Sequence, residues 1–152
     1  MIARTRSQKR KEQVEMGRVI AELSLTNHQD VILAAAGVIP QESIRRATIE
    51  GVVDSGATRL VLPQSVVKEL GLTPAGETPV RYADHRKAKR KLVSDVQLKL
   101  QDRESVFTAV VEPKRTTALI GAIVLDELDF IVDCAQQQLR PRDPEGIVSE
   151  IE

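Results

Sequence analysis

At residues 49–58 an apolar run, Ile49-Glu50-Gly51-Val52-Val53, meets a carboxylate and then a polar turn, Asp54-Ser55-Gly56-Ala57-Thr58. A carboxylate at the end of a buried strand is costly to leave ionised and unpaired, so Asp54 needs a reason to be there. Gly56 permits a sharp turn and a close approach of the backbone to whatever Asp54 faces. Ser55 and Thr58 supply short hydroxyls that can hold the turn or a neighbouring carboxylate. The same residues also suit an ordinary turn, with Asp capping a following helix and Gly at positive φ. The flanking segments narrow that choice. Ile49–Val53 reads as a strand. Downstream, Leu60 to Leu72 places Pro63 at an expected first helical position and Gly71 at an expected helix end. Val66, Val67 and Leu70 then share one face of a short helix.

A second strand-then-helix unit spans Ala118 to Leu128, where Leu119-Ile120-Gly121 ends the strand. Phe130–Asp133 and Gln138–Pro141 follow as short closing strands, and Val80-Arg81-Tyr82-Ala83-Asp84 lies between the two units. In this order and spacing the chain resembles the retropepsin-like aspartic proteases, in their prokaryotic single-domain form. Residues 54–58 resemble the family's Asp-Thr/Ser-Gly-Ala-Thr/Ser signature. Leu119-Ile120-Gly121 is similar to the apolar-apolar-Gly element that passes beside the catalytic loop. Val80–Asp84 stands where the family carries its flap. The resemblance covers roughly residues 16 to 144, and the chain divides into a basic segment at 1–15, the protease domain at 16–144 and an acidic tail at 145–152. It implies an all-β fold with one or two short helices: an acid-protease barrel, one lobe per chain, dimeric.

Composition agrees with one β-rich domain. The 152 residues suit a single core, and 41% are hydrophobic. Only Tyr82, Phe107 and Phe130 are aromatic, so the core must be Val, Leu, Ile and Ala. Lys plus Arg and Asp plus Glu each number 22, which argues against a chain devoted to nucleic acid. Cys134 is the only cysteine, so no internal disulfide can form, and small secreted domains more often carry paired cysteines. His28 and His85 lie far apart, and no Cys/His cluster suggests a metal. No apolar run follows the basic N-terminus at signal-peptide length, and no segment reaches membrane-spanning length. These features predict a cytoplasmic protein with no cofactor and no membrane partner.

Along the rest of the chain, Arg18–Leu25 reads as a strand. Asn27–Asp30 has hairpin-turn composition, and Val31–Val38 reads as a second strand ended by Ile39-Pro40. Ser43–Ile49 alternates and leads into the strand before Asp54. Gly71 to Pro79, rich in Gly and Pro, is expected to be a loop. Val80–Ala83, Lys91–Leu100 and Ser105–Val111 are strand candidates, with Val96, Leu98 and Leu100 inward and Gln97 and Lys99 outward. Asp102-Arg103 suits a tight turn.

Amide hydrolysis by water needs an activated nucleophile. Two adjacent carboxylates supply one: they share a proton, the ionised member takes a proton from water, and the protonated member donates to the carbonyl oxygen. The chain offers one such residue, Asp54. Asp133 precedes Cys134-Ala135 and lacks the hydroxyl and glycine, and Asp126 and Asp129 lie on or beside a helix. The second aspartate is therefore expected to be Asp54 of a second copy on a twofold axis. By resemblance, Ser55 bonds across the dimer, Gly56 and Ala57 line the cleft, Thr58 orients Asp54, and Tyr82, Ala83 and Asp84 cover the substrate. The implied activity is a homodimeric aspartic endopeptidase; the alternative is a dimer of this fold that binds peptide or a protein partner without efficient cleavage. One departure bears on it. Relatives have Gly after Tyr-Ala-Asp, this chain has His85, and no Gly lies between Glu77 and Ile120. The flap also carries Arg81, Arg86, Lys87, Lys89, Arg90 and Lys91, either a solvated face or an attraction for acidic substrates.

Overall fold

The computed structural model describes residues 18–152. The expected basic segment at 1–15 and the start of the domain at Met16 lie outside the described residues. The elements in order are β1 (Val19–Asn27), α1 (His28–Ala35), a 3-10 turn (Gln41–Ser43), β2 (Arg46–Val53), β3 (Leu60–Pro63), α2 (Gln64–Leu70), β4 (Thr73–Arg81), β5 (Lys87–Leu100), β6 (Arg103–Glu112), β7 (Ala118–Ile120), α3 (Ala122–Leu128), β8 (Phe130–Asp133) and β9 (Gln138–Pro141). Six strands form a ring in the order β1-β2-β7-β3-β6-β5, and β5 pairs back onto β1 to close it. Closure removes the edges that an open sheet would leave unpaired. The fold is the mainly-β, single-lobe barrel that the sequence implied.

The barrel is filled by aliphatic side chains. Leu23, Leu25, Leu60, Leu62, Val96, Leu98 and Ile120 are fully buried. Alternation along β5 holds as expected, with Val96, Leu98 and Leu100 inward and Lys99 in solvent. α2 buries Val66 and Leu70 beneath the barrel and stops at Gly71, which takes the left-handed conformation at φ 58°. The helix begins one residue later than expected, because Pro63 still pairs with Glu112 at the end of β3.

Two stretches differ from expectation. Val31–Val38 is not a strand: residues 28–35 are helical. The Asn27 side chain accepts from Asp30 N–H at 3.1 Å and caps the first turn. Gly37, at φ 76°, closes the last turn, with Gly37 N–H donating to Ala34 O and Val38 N–H to Leu33 O. The cap and the alanine run outweigh the β-branched pair Val31-Ile32. Asn27 is buried, and its amide also donates to Leu70 O at 2.9 Å, so one side chain caps the start of α1 and the end of α2. The Gly71–Pro79 stretch is not a loop: most of it is β4. Proline is tolerated there because β4 is an edge strand, paired only with β5, and Gly76 at φ 98° sits in the irregularity between Pro74 and Glu77. Smaller shifts place the tight turn at Gln101-Asp102, with Arg103 already in β6.

Candidate active site

Asp54 emerges at the end of β2 where the backbone leaves the barrel. Val53 is buried, whereas Asp54, Ser55 and Gly56 are exposed. The turn is locked at both ends. Asp54 N–H donates to Ile120 O at 3.0 Å, and Ala57 N–H donates to Asp54 O at 3.1 Å. Gly56 N–H donates to Asp54 Oδ1 at 2.9 Å, and a Cβ on Gly56 would sit 3.2 Å from that oxygen. Glycine here serves close approach to the carboxylate.

The Leu119-Ile120-Gly121 element lies beside this turn. β7 runs parallel to β2, pairing Val53 with Ile120. Leading N–H groups of a helix have no partner inside it. In α3, Ala122 N–H donates to Ala57 O at 2.8 Å and Ile123 N–H to Thr58 O at 3.0 Å. The turn therefore uses its carbonyls to cap α3, and α3 fixes the turn. Gly121 makes the contact possible: a Cβ there would lie 2.5 Å from Arg59 O and 2.8 Å from Thr58 C, both backbone atoms. Among the described residues, neither the Ser55 nor the Thr58 hydroxyl makes a hydrogen bond.

β4 and β5 form an antiparallel hairpin where the flap is expected. Its tip is a tight turn, with His85 N–H donating to Tyr82 O and Tyr82 N–H donating to Arg86 O, both at 2.9 Å. His85 occupies the left-handed region at φ 68°, the conformation for which glycine is best suited. Asp84 braces the tip by accepting from Arg86 N–H at 3.0 Å. Tyr82 points back toward the barrel. Its hydroxyl donates to Glu112 Oε2 at 2.6 Å, and Arg90 Nε lies 2.9 Å from the hydroxyl and 3.2 Å from Glu112 Oε1. Burial first, then the bond to Glu112, push the Tyr82 phenol above its ordinary range, with Arg90 opposing, so the phenol remains the donor. Glu112 and the pairing role of Arg90 escape sequence reasoning, because the register of β5 on β6 brings them together. Alternation could have sorted the flap cations: Arg90 is half-buried, whereas Lys87, Lys89 and Lys91 are exposed.

Between the turn, the flap and the end of β6 lies a cleft of about 770 Å³. Gly56, Ala57, Thr58, Tyr82 and Leu119 are among the residues that line it. Of the other carboxylates considered from sequence, Asp126 is exposed on α3 and the remaining two are engaged elsewhere. Asp129 pairs with Arg142 at 2.7 Å, and Asp133 with Arg140 at 3.7 Å.

A family model described as aspartyl protease matches residues 41–124, the stretch from the 3-10 turn through the Asp54 turn, the flap and Gly121 to α3. The chain belongs to this family. The family lies in the retropepsin-like clan, which accounts for the barrel and for the two linked turns. Membership supports a protease function in general terms, with peptide or protein as the substrate class. No curated protein matches the chain. Among the described residues, no helix is long and apolar enough to cross a membrane.

Proposed function

We propose that the protein is a homodimeric aspartic endopeptidase in which Asp54 of two copies forms the catalytic dyad. The observation that carries this reading is a single Asp-Ser-Gly turn, hydrogen-bonded at both ends at the surface, beside a cleft lined by the β4–β5 hairpin. Glu112, the one carboxylate lining that cleft, is already bonded to Tyr82 and Arg90. A second copy related by a twofold axis brings the same carboxylate to the first. Two carboxylates at that distance share one proton. One then activates water, and the other donates to the amide carbonyl. The Ser55 and Thr58 hydroxyls, unbonded within the described residues, are available to bridge the two turns. Ala57, Tyr82, Ala83, Asp84 and His85 contact the peptide from the turn and the flap.

A dimer that binds peptide without cleaving it rested on His85 and the basic flap. His85 adopts the turn conformation that glycine would take, so the tip forms a tight turn without glycine. The deciding experiment digests a peptide library with wild type and Asp54→Asn, while light scattering reports the mass. The expected result is cleavage by a dimer, lost in Asp54→Asn with mass and melting temperature retained. Equal turnover by the variant, or activity in a species of monomer mass, sinks the proposal.

A further inference from the structure

The chain as a whole has no net charge. The cleft beside Asp54 departs sharply from that balance: Arg59, Arg81, Arg86, Arg90, Lys114 and Arg115 line it, against the single carboxylate of Glu112. Glu112 is committed to Arg90 and Tyr82. Arg86 lies over the Tyr82 ring at 4.5 Å and has only a long, exposed contact with Asp84 at 3.9 Å. Arg115 donates to the carbonyl and hydroxyl of Thr117, which hold its guanidinium without cancelling its charge. Among the described residues, Arg59, Arg81 and Lys114 have no ion pair and no side-chain hydrogen bond. They come from three elements that surround the cleft: the stretch after Thr58, the flap strand β4, and the connection between β6 and β7. Lys87, Lys89 and Lys91 do not line it, so half of the flap's cations are a solvated outer face.

We propose that this cleft selects peptides carrying acidic side chains close to the scissile bond, recognised by Arg59, Arg81 and Lys114. The proposal rests on the endopeptidase reading of the site. Converging cations repel one another, and an anionic ligand relieves that repulsion while the cleft walls limit screening. An extended peptide between the turn and the flap points alternate side chains to opposite walls. Some therefore reach the cations, and others meet the apolar lining of Val61, Val80, Val110 and Leu119. That mixed lining fits a peptide with both acidic and apolar residues. A single-stranded nucleic acid would need stacking platforms, and the only aromatic ring here, Tyr82, lies beneath Arg86.

The test uses matched fluorogenic peptides with Glu or Gln at two positions on each side of the cleaved bond. Each exposed pair contributes about two- to fivefold, so kcat/KM should favour the acidic peptide about tenfold at low salt. The preference should shrink severalfold at about 1 M salt, where screening acts within roughly 3 Å. The triple variant Arg59→Gln/Arg81→Gln/Lys114→Gln should bring the ratio close to one, and Lys114→Gln alone should lower it. The outer-face variant Lys87→Gln/Lys89→Gln/Lys91→Gln should keep it. Equal cleavage by wild type, or equal loss in both triple variants, overturns the assignment. If neither peptide is cleaved, the endopeptidase reading fails, and the charge preference is still read by anisotropy of the labelled pair with the Asp54→Asn protein. Equal affinities there overturn the proposal, as does tighter binding of a single-stranded oligonucleotide of matched charge.

Discussion

Replacing Gly121 with alanine isolates the contact between the β7–α3 junction and the turn that carries Asp54. Gly121 has φ −88° and ψ −178°, an extended conformation open to any residue, so the substitution adds no backbone strain. It does add a carbon 2.5 Å from Arg59 O and 2.8 Å from Arg59 N and Thr58 C. These are backbone atoms and cannot swing aside. Restoring contact distances of about 3.5 Å moves the turn by on the order of 0.5–1 Å. Overpacking of this kind costs about 1–3 kcal/mol. Weakening the bonds from Ala122 to Ala57 and from Ile123 to Thr58 adds roughly 1 kcal/mol. The expected loss is about 2–4 kcal/mol, measured by denaturant unfolding, which leaves a typical domain folded. Displacement of a catalytic group on that scale should cost on the order of a hundredfold in kcat/KM. Gly37→Ala is the comparison. Gly37 stands at φ 76° with nothing within 4 Å of an added carbon, so it should cost about 1–2 kcal/mol of stability and no activity. Gly121→Ala with stability within about 0.5 kcal/mol of wild type would refute the claim that these backbones need glycine between them.

Two further outcomes follow from the hydrogen-bonded networks. Tyr82→Phe removes the donor to Glu112 and should release the flap tip by about 1 kcal/mol, seen as roughly fivefold faster amide exchange at His85; unchanged exchange would mean the hydroxyl does not hold the flap. Asp30 accepts from Arg45 N, Nε and a terminal guanidinium N–H, and these side-chain bonds hold its carboxyl below the ordinary value of 3.8. Because the folded-state value is lowered, the stabilisation is fully present above the ordinary value of the unfolded chain and is lost as pH falls through the folded-state one. Asp30→Asn should therefore cost about 1–2 kcal/mol at neutral pH, discounted because Arg45 is half exposed, and progressively less in acid, as followed by urea unfolding across pH. A cost independent of pH would show that the carboxylate charge is not the source.

The Asp54 turn and the helix stop at Gly71 were legible because each is local. Their residue types and spacing dictate a turn and a helix end within a few positions of the chain, whereas the approach of Leu119-Ile120-Gly121 to the Asp54 turn joins distant segments and was implied only by the family resemblance. The alternation of Val96, Leu98 and Leu100 was legible for the same reason, since a strand's period of two sorts side chains whatever they pack against. Where local signals competed, reading failed. Val31-Ile32 favoured a strand, and the Asn27 cap with the Gly37 stop made a helix. Pro74, Gly76 and Pro79 favoured a loop, and an edge position made them a strand. What only the tertiary structure decided are the encounters between distant segments: Asn27 with the end of α2, Tyr82 and Arg90 with Glu112, and Arg59, Arg81 and Lys114 around one cleft. Those depend on barrel closure and on the register of β5 against β6, which arise from the summed burial of many aliphatic side chains and are written at no single position.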